Sequence, residues 1–162
     1  PRQPAIGRAV AEKLGRRLVN VEQMLEERSG MAADDILATY GQARLTDLEN
    51  AVMNDVVLFR GAVVRVSGEM LAHGDNLERL AVTGPVVCLV AALDAVLQRL
   101  HLSMGARYHN PAERDLALGN LRKAWAVRGQ PSVHEVDATY LNEDETVAAV
   151  VGLWQELSLK RA

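Results

Sequence analysis

Lysine is scarce in this chain. Of 18 cationic side chains only Lys13, Lys123 and Lys160 are lysines, so any chemistry that demands an ammonium group has three candidates. Cysteine is scarcer still. Cys88 stands alone inside a valine-rich apolar run, which excludes an internal disulfide and marks a core thiol. A single thiol suits a reducing compartment, and the expected setting is cytoplasmic. No apolar run approaches the roughly 20 residues that span a bilayer, and no secretory leader pattern opens the sequence, so a soluble protein with no membrane partner is expected. Positive charge is not in surplus either: the net charge of −3 gives no broad electrostatic reason to expect nucleic acid. The four histidines, His73, His101, His109 and His134, are scattered without metal-ligand spacing, so no metal site is expected from them. Each reads as a surface or hydrogen-bonded histidine, with His109 the exception to watch because its surroundings have no clean period. Ser67 lacks the full Gly-x-Ser-x-Gly pattern of a nucleophile elbow. The acid pairs Glu26-Glu27 and Asp34-Asp35 read as solvated helix faces and helix-dipole partners. No linker, low-complexity tract or internal repeat interrupts the chain.

What is present fits one globular domain over residues 1–162: 49% hydrophobic and 24% charged residues over a length that buries a substantial core. The organising stretch is 62–91. Its two ends, AVVRVS and PVVCLV, are short valine-rich runs bounded by turn residues, which predicts strands buried on both faces. Between them DNLERLAV has helical spacing, and Thr83-Gly84-Pro85 punctuates the return. The expectation is one strand-helix-strand unit of a parallel sheet. Ser67-Gly68-Glu69 follows the first strand at its carboxyl end, where open α/β sheets place ligands, so function is sought there.

The remaining segments alternate. Ile6, Ala9, Val10 and Leu14 share a helical face that Gly15 terminates. RRLVNV is a strand, residues 22–28 a helix closed by Ser29-Gly30, ADDILATYG another, and residues 43–59 a longer one with Leu45, Leu48, Val52, Val56 and Phe59 inward. After the organising stretch come a helix over 93–100, an irregular excursion around 102–111, a helix over 112–127, the strand VHEVDATYL, and a final helix opened by an Asn142/Glu145 capping box. A first helix feeding a parallel strand normally has a strand ahead of it, and only PRQP precedes it here. The expectation is a short parallel sheet whose first strand is missing from the sequence, or a sheet that closes without it.

These segments resemble the shikimate kinase family, small kinases of the P-loop, nucleoside-monophosphate-kinase-like fold. The resemblance is carried by AIGRAVAEKLG, LEERSGMAADDILATYGQARLTDLENAV, DNLERLAVTGPVVCL and HEVDATYL, and it implies a three-layer α/β/α architecture. It also implies a set of pocket positions. The family's glycine-rich phosphate loop ends Gly-Lys-Ser/Thr-Thr just before Ile-Gly-Arg. In this sequence its lysine falls at Gln3, the magnesium-holding hydroxyl at Pro4 and the threonine at Ala5, none of which can perform those roles. The Asp-x-Asp that serves magnesium and the acceptor corresponds to Asn20-Val21-Glu22. The arginine of Gly-Glu-x-x-Phe-Arg, which grips the acceptor carboxylate, corresponds to Thr46. Arg44 lies two residues earlier, about 200° around a helix, and does not substitute for it. The Gly-Gly-Gly turn corresponds to Ser67-Gly68-Glu69, with bulk and negative charge added at Glu69. Arg107 matches the lid arginine over the ATP phosphates, and Arg128 roughly matches a second acceptor-binding arginine.

Framework segments therefore match while ligand positions depart. That contrast implies a catalytically impaired domain acting as a small-molecule-binding or regulatory module, with ATP and Mg2+ needed only if an alternative holds, in which the chain is an active shikimate kinase with an incompletely represented phosphate loop. A further alternative is a structural partner whose sheet is completed by another chain or by a second copy.

Overall fold

The computed structural model of the chain describes the backbone of residues 3–161 and the side chains of residues 5–160. The chain divides into two compact units, Pro1–Gly84 and Pro85–Ala162. The boundary falls inside the Thr83-Gly84-Pro85 turn that the sequence marks as punctuation.

The first unit runs α1 (Gln3–Leu14), β1 (Arg17–Asn20), α2 (Val21–Ser29), α3 (Ala33–Tyr40), α4 (Gln42–Val56), β2 (Ala62–Arg65), α5 (Gly68–Ala72) and α6 (Asn76–Thr83). β1 and β2 pair in parallel, from Arg17 opposite Ala62 to Asn20 opposite Arg65. Val21, Leu25, Ile36, Val52, Met53 and Val56 are fully buried and join α2, α3 and α4 in one core. Each contributes roughly 1.5–3 kcal/mol of transfer free energy. The helix ends follow local chemistry. Asn20 caps α2 by accepting from the Gln23 amide at 3.2 Å. At the other end Gly30 takes φ 77° and its amide donates to the Glu26 carbonyl, a left-handed cap that only glycine adopts without strain.

The second unit runs β3 (Val86–Val90), α7 (Leu93–Met104), a 3-10 turn (Gly105–His109), α8 (Pro111–Ala124), β4 (Val133–Asp137) and α9 (Glu143–Arg161). β3 and β4 pair in parallel from Val86 opposite Val133 to Val90 opposite Asp137. The expected capping box is present: the Asn142 amide donates to Glu145 Oε1 at 3.1 Å, and the Glu145 amide donates to Asn142 Oδ1 at 2.8 Å. No helix among the described residues is long and apolar enough to cross a membrane.

Several expectations change. The two valine-rich strands of the organising stretch do not pair with each other: among the described residues β2 pairs with β1, and β3 with β4. Composition identifies a strand but not its neighbour. Both strands are also half-buried along most of their length rather than buried on both faces. Ser67-Gly68-Glu69 is more than a turn. Ser67 Oγ accepts from the Met70 amide at 3.1 Å and opens α5, whose Met70 and Leu71 are buried. The irregular excursion is largely ordered, because α7 continues to Met104 before the 3-10 turn. α4 stops short of Phe59, and α8 short of Val127.

Candidate functional site

The parallel register of β1 and β2 brings their carboxyl ends together, and with them Asn20, Glu22 and Ser67. Glu22 lies in the first turn of α2, where the helix dipole favours an acid. Its Oε1 accepts a 2.5 Å hydrogen bond from the Ser67 amide, and its Oε2 sits 3.4 Å from Arg65 Nη1. The same Nη1 lies 3.5 Å from Asn20 Oδ1. Arg65 Nε is buried and has no hydrogen-bond partner among the described residues. Glu22 and Arg65 are both partly exposed, with 34% and 26% of their side chains open to solvent. The site is thus a half-open carboxylate–guanidinium pair with one unused donor.

The other expected positions lie on several elements. Ala5 is exposed on α1, and the side chains of Gln3 and Pro4 lie outside the described ones. Thr46 is exposed on α4 and accepts from Gln42 Nε2 at 3.2 Å, one turn away. Gly68 begins α5 and Glu69 is exposed in its first turn. Arg107 is exposed in the 3-10 turn of the second unit, next in sequence to a ring cluster in which His101 stacks on the half-buried Tyr108 at 4.6 Å and meets His109 edge-on at 5.4 Å. His109 is therefore ring-packed within the lid-like segment. No group of three or more His, Cys, Asp or Glu side chains among the described residues has metal-holding geometry. Arg128 is engaged on the surface: its Nη2 lies 2.9 Å from Glu135 Oε1, and its guanidinium covers the Trp125 ring at 5.3 Å.

A shallow cleft of about 320 Å3 runs along β1, lined among others by Arg17, Asn20, Gln23, Met24 and Phe59. It shares only Asn20 with the Glu22–Arg65 pair, and the guanidinium of Arg17 covers the Phe59 ring within it at 4.4 Å.

Arg65 escapes the reading of the sequence, although a cation inside the otherwise apolar AVVRVS run is the signal that marks it. Glu49 escapes likewise. It occupies the inward stripe of α4, is 4% exposed, and meets His73 Nδ1 at 2.8 Å. In the second unit the carboxyl ends of β3 and β4 meet at Thr139, which is buried. Its Oγ1 accepts from the Ala92 amide at 2.8 Å and donates to Asp137 Oδ1, while its carbonyl accepts from Arg99 Nη2 at 2.7 Å. The Thr139 hydroxyl, and then its amide, hold the Asp137 carboxyl below the usual carboxylate range. Cys88 on β3 is half-buried rather than a full core residue. Burial, with help from Glu135, pushes its thiol up.

The sequence model of shikimate kinase matches residues 4–153. The chain belongs to the shikimate kinase family. Curated shikimate kinases are similar at the sequence level. That of Gloeobacter violaceus is 32% identical over 72% of this chain and 62% of its own length. That of Thermodesulfovibrio yellowstonii is 27% identical over 68% of this chain and 65% of its own, and that of Sulfurihydrogenibium is 33% identical over 59% and 57%. The matches thus span less than two thirds of these relatives' length. Among solved structures, a shikimate kinase from Bacteroides thetaiotaomicron matches with a TM-score of 0.73 at 24% identity, over 96% of this chain and 90% of that one. One from Acinetobacter baumannii, in complex with shikimate, matches with a TM-score of 0.69 at 21% identity, over 98% and 87%. These likenesses establish the fold, an α/β arrangement of helices and short parallel sheets shared with shikimate kinases.

Proposed function

We propose that this chain is a shikimate-kinase-fold module that binds a small molecule at the carboxyl ends of β1 and β2 and does not itself transfer phosphoryl groups at ordinary enzyme rates. One observation carries this reading. Where the family's Asp-x-Asp serves a metal and the acceptor, Glu22 has one oxygen on a backbone amide and the other facing a guanidinium, and Asn20 is a helix cap. A magnesium ion requires several hard oxygen ligands turned towards it. A fixed cation 3.4 Å from the only carboxylate of the set does not fit that requirement. Thr46 in place of the acceptor-gripping arginine, exposed Glu69, and the sequence Gln3-Pro4-Ala5 support the same reading. The single cysteine fits a cytoplasmic protein.

A coupled assay with ATP and shikimate on the complete open reading frame, beside isothermal titration of nucleotides, aromatic acids and acyl-coenzyme thioesters, tests it. The expected result is binding of a small acid with no turnover above background. Turnover at roughly 1–100 per second, the range of working kinases, would favour the second reading of an active shikimate kinase using ATP and Mg2+. That second reading is supported by the family match across residues 4–153. A third reading, a protein partner or second copy that completes a sheet, is supported by the two-stranded extent of each sheet among the described residues. Two strands alone are marginal, and edge addition is a known recognition mode. A monomeric solution mass with no co-purifying chain would remove it.

A further inference from the structure

We propose that the Trp125 indole is an edge guard: it covers the outer edge of β3 and holds off antiparallel pairing of that edge with β3 of a second copy of this chain. The guard lies wholly within the second unit and is independent of ligand binding at β1 and β2.

The direction of the backbone groups identifies the edge. In a sheet, successive residues of a strand turn their N–H and C=O groups to opposite neighbours. The Ala138 amide donates to the Val90 carbonyl at 2.8 Å, and Ala138 follows Asp137, the partner of Val90 in the register. Val90 therefore turns its groups towards β4, and so do Cys88 and Val86, two and four residues before it. Val87 and Leu89 turn theirs to the opposite edge, with which no strand pairs among the described residues. Trp125 Nε1 sits on that edge and donates to the Leu89 carbonyl at 3.2 Å. The indole thus supplies the donor that the amide of a neighbouring strand would supply. Its ring is covered by the Arg128 guanidinium at 5.3 Å, and Arg128 is tied to Glu135, which stands opposite Cys88 across the strand pair. One hydrogen bond and one exposed ion pair make a cover that can be lifted without unpacking a core.

The uncovered edge matches a second copy of itself. VVCLV contains none of the charged residues or prolines that ordinarily protect a strand edge. About a two-fold axis at Cys88, Val87 lies opposite Leu89 of the second copy and Leu89 opposite its Val87. These are the residues whose donors and acceptors point outward, so each outward donor meets an outward acceptor. A slip of one residue would set outward groups against groups already bonded to β4. The same axis makes the two Cys88 residues a non-hydrogen-bonded pair with Cα atoms about 4.5 Å apart, within the roughly 4.4–6.8 Å that a disulfide spans. Because Cys88 is the only cysteine, any disulfide this chain forms with itself joins two copies through β3.

The test compares wild type with Trp125→Phe, which keeps a ring beneath Arg128 but removes the indole N–H. Solution mass is measured against protein concentration, and Cys88 is trapped by adding diamide, which takes up the two electrons and two protons released when two thiols become one disulfide. Wild type is expected to stay monomeric and largely uncross-linked. Trp125→Phe should dimerise at about ten-fold lower concentration or less, since its dimer breaks no indole bond in either copy, and should cross-link through Cys88. Equal masses and equal cross-linking in the two proteins would overturn the guard, as would a Trp125→Phe dimer that diamide does not trap, which would place the contact elsewhere. A wild-type protein already dimeric and readily cross-linked would also overturn it, while supporting the third reading above. Should Trp125→Phe fail to fold, Arg128→Gln takes its place, because it loosens the cover from the surface. No rise in Cys88 cross-linking in that variant would then sink the proposal.

Discussion

The two parallel strand pairs end in opposite ways. At the carboxyl ends of β3 and β4, Thr139 is buried and saturates its surroundings: its hydroxyl both accepts and donates, and its amide and carbonyl are both bonded. At the carboxyl ends of β1 and β2, the Arg65–Glu22 pair is half-exposed, its two charges meet at 3.4 Å, and Arg65 Nε is buried without a partner among the described residues. Equivalent places in two sheets thus hold a closed latch and an open charge pair. A network in which every group is satisfied rigidifies its elements, whereas a buried donor without a partner is costly. Position at a strand end is not enough to make a site.

The largest effect should come from breaking the latch. Thr139→Val preserves shape but leaves the Ala92 amide without its acceptor and Asp137 without its hydroxyl donor. Chemical denaturation should show a loss of about 1 kcal/mol, the net worth of the hydrogen bond that the buried hydroxyl accepts from the Ala92 amide. The pH dependence sharpens the point. Because Thr139 lowers the folded-state pKa of Asp137, the associated stability is present above the unfolded carboxylate value and is lost as pH falls through the folded one. Thermal melts below about pH 4 should therefore fall more steeply for wild type than for Asp137→Asn, and Thr139→Val should share the flatter profile. Equal slopes in the three proteins would show that the latch does not control Asp137.

Breaking the Arg65–Glu22 pair should cost less stability. Glu22→Gln removes a partly exposed charge pair while keeping the size of the side chain that meets the Ser67 amide. Half-exposed pairs contribute modestly, so a loss below about 1 kcal/mol is expected in the same denaturation experiment. A loss as large as that of Thr139→Val would mean that both strand ends are latches, and the contrast between them would vanish.

Legibility in the sequence follows the same division. Helices announced themselves through apolar spacing and caps: the Asn142/Glu145 box and the Gly30 stop are both realised, because they depend on residues within one or two turns. Strand identity was legible from valine content, but strand partners were not, since pairing depends on residues some 45 positions apart, as with Arg17 and Ala62. The candidate site was half legible. Asn20, Glu22 and Ser67 are pocket positions by the family resemblance, and they converge. Arg65, which gives the site its cation, is not legible, because a lone arginine in an apolar run looks like an edge residue until its neighbour across the sheet is known. Glu49 was hidden for a related reason: on its own helix it reads as an interruption of an apolar stripe, and only His73, 24 residues later, explains its burial.

Arg128 provides the smallest and most discriminating test of the comparison. Family resemblance would make it an acceptor-binding arginine, a role that requires a guanidinium available to an incoming anion. Its charge is instead directed at Glu135, which is exposed, and its face at Trp125, which is half-buried, both within the second unit. An exposed pair of this kind contributes a few tenths of a kcal/mol, so Arg128→Gln should change the denaturation midpoint barely at all. The sharper readout is binding. The affinity for small acids measured by isothermal titration should be the same in Arg128→Gln as in wild type, because its guanidinium is already engaged by Glu135 and Trp125. A several-fold loss of affinity would require this arginine to leave Glu135 and take part in anion recognition.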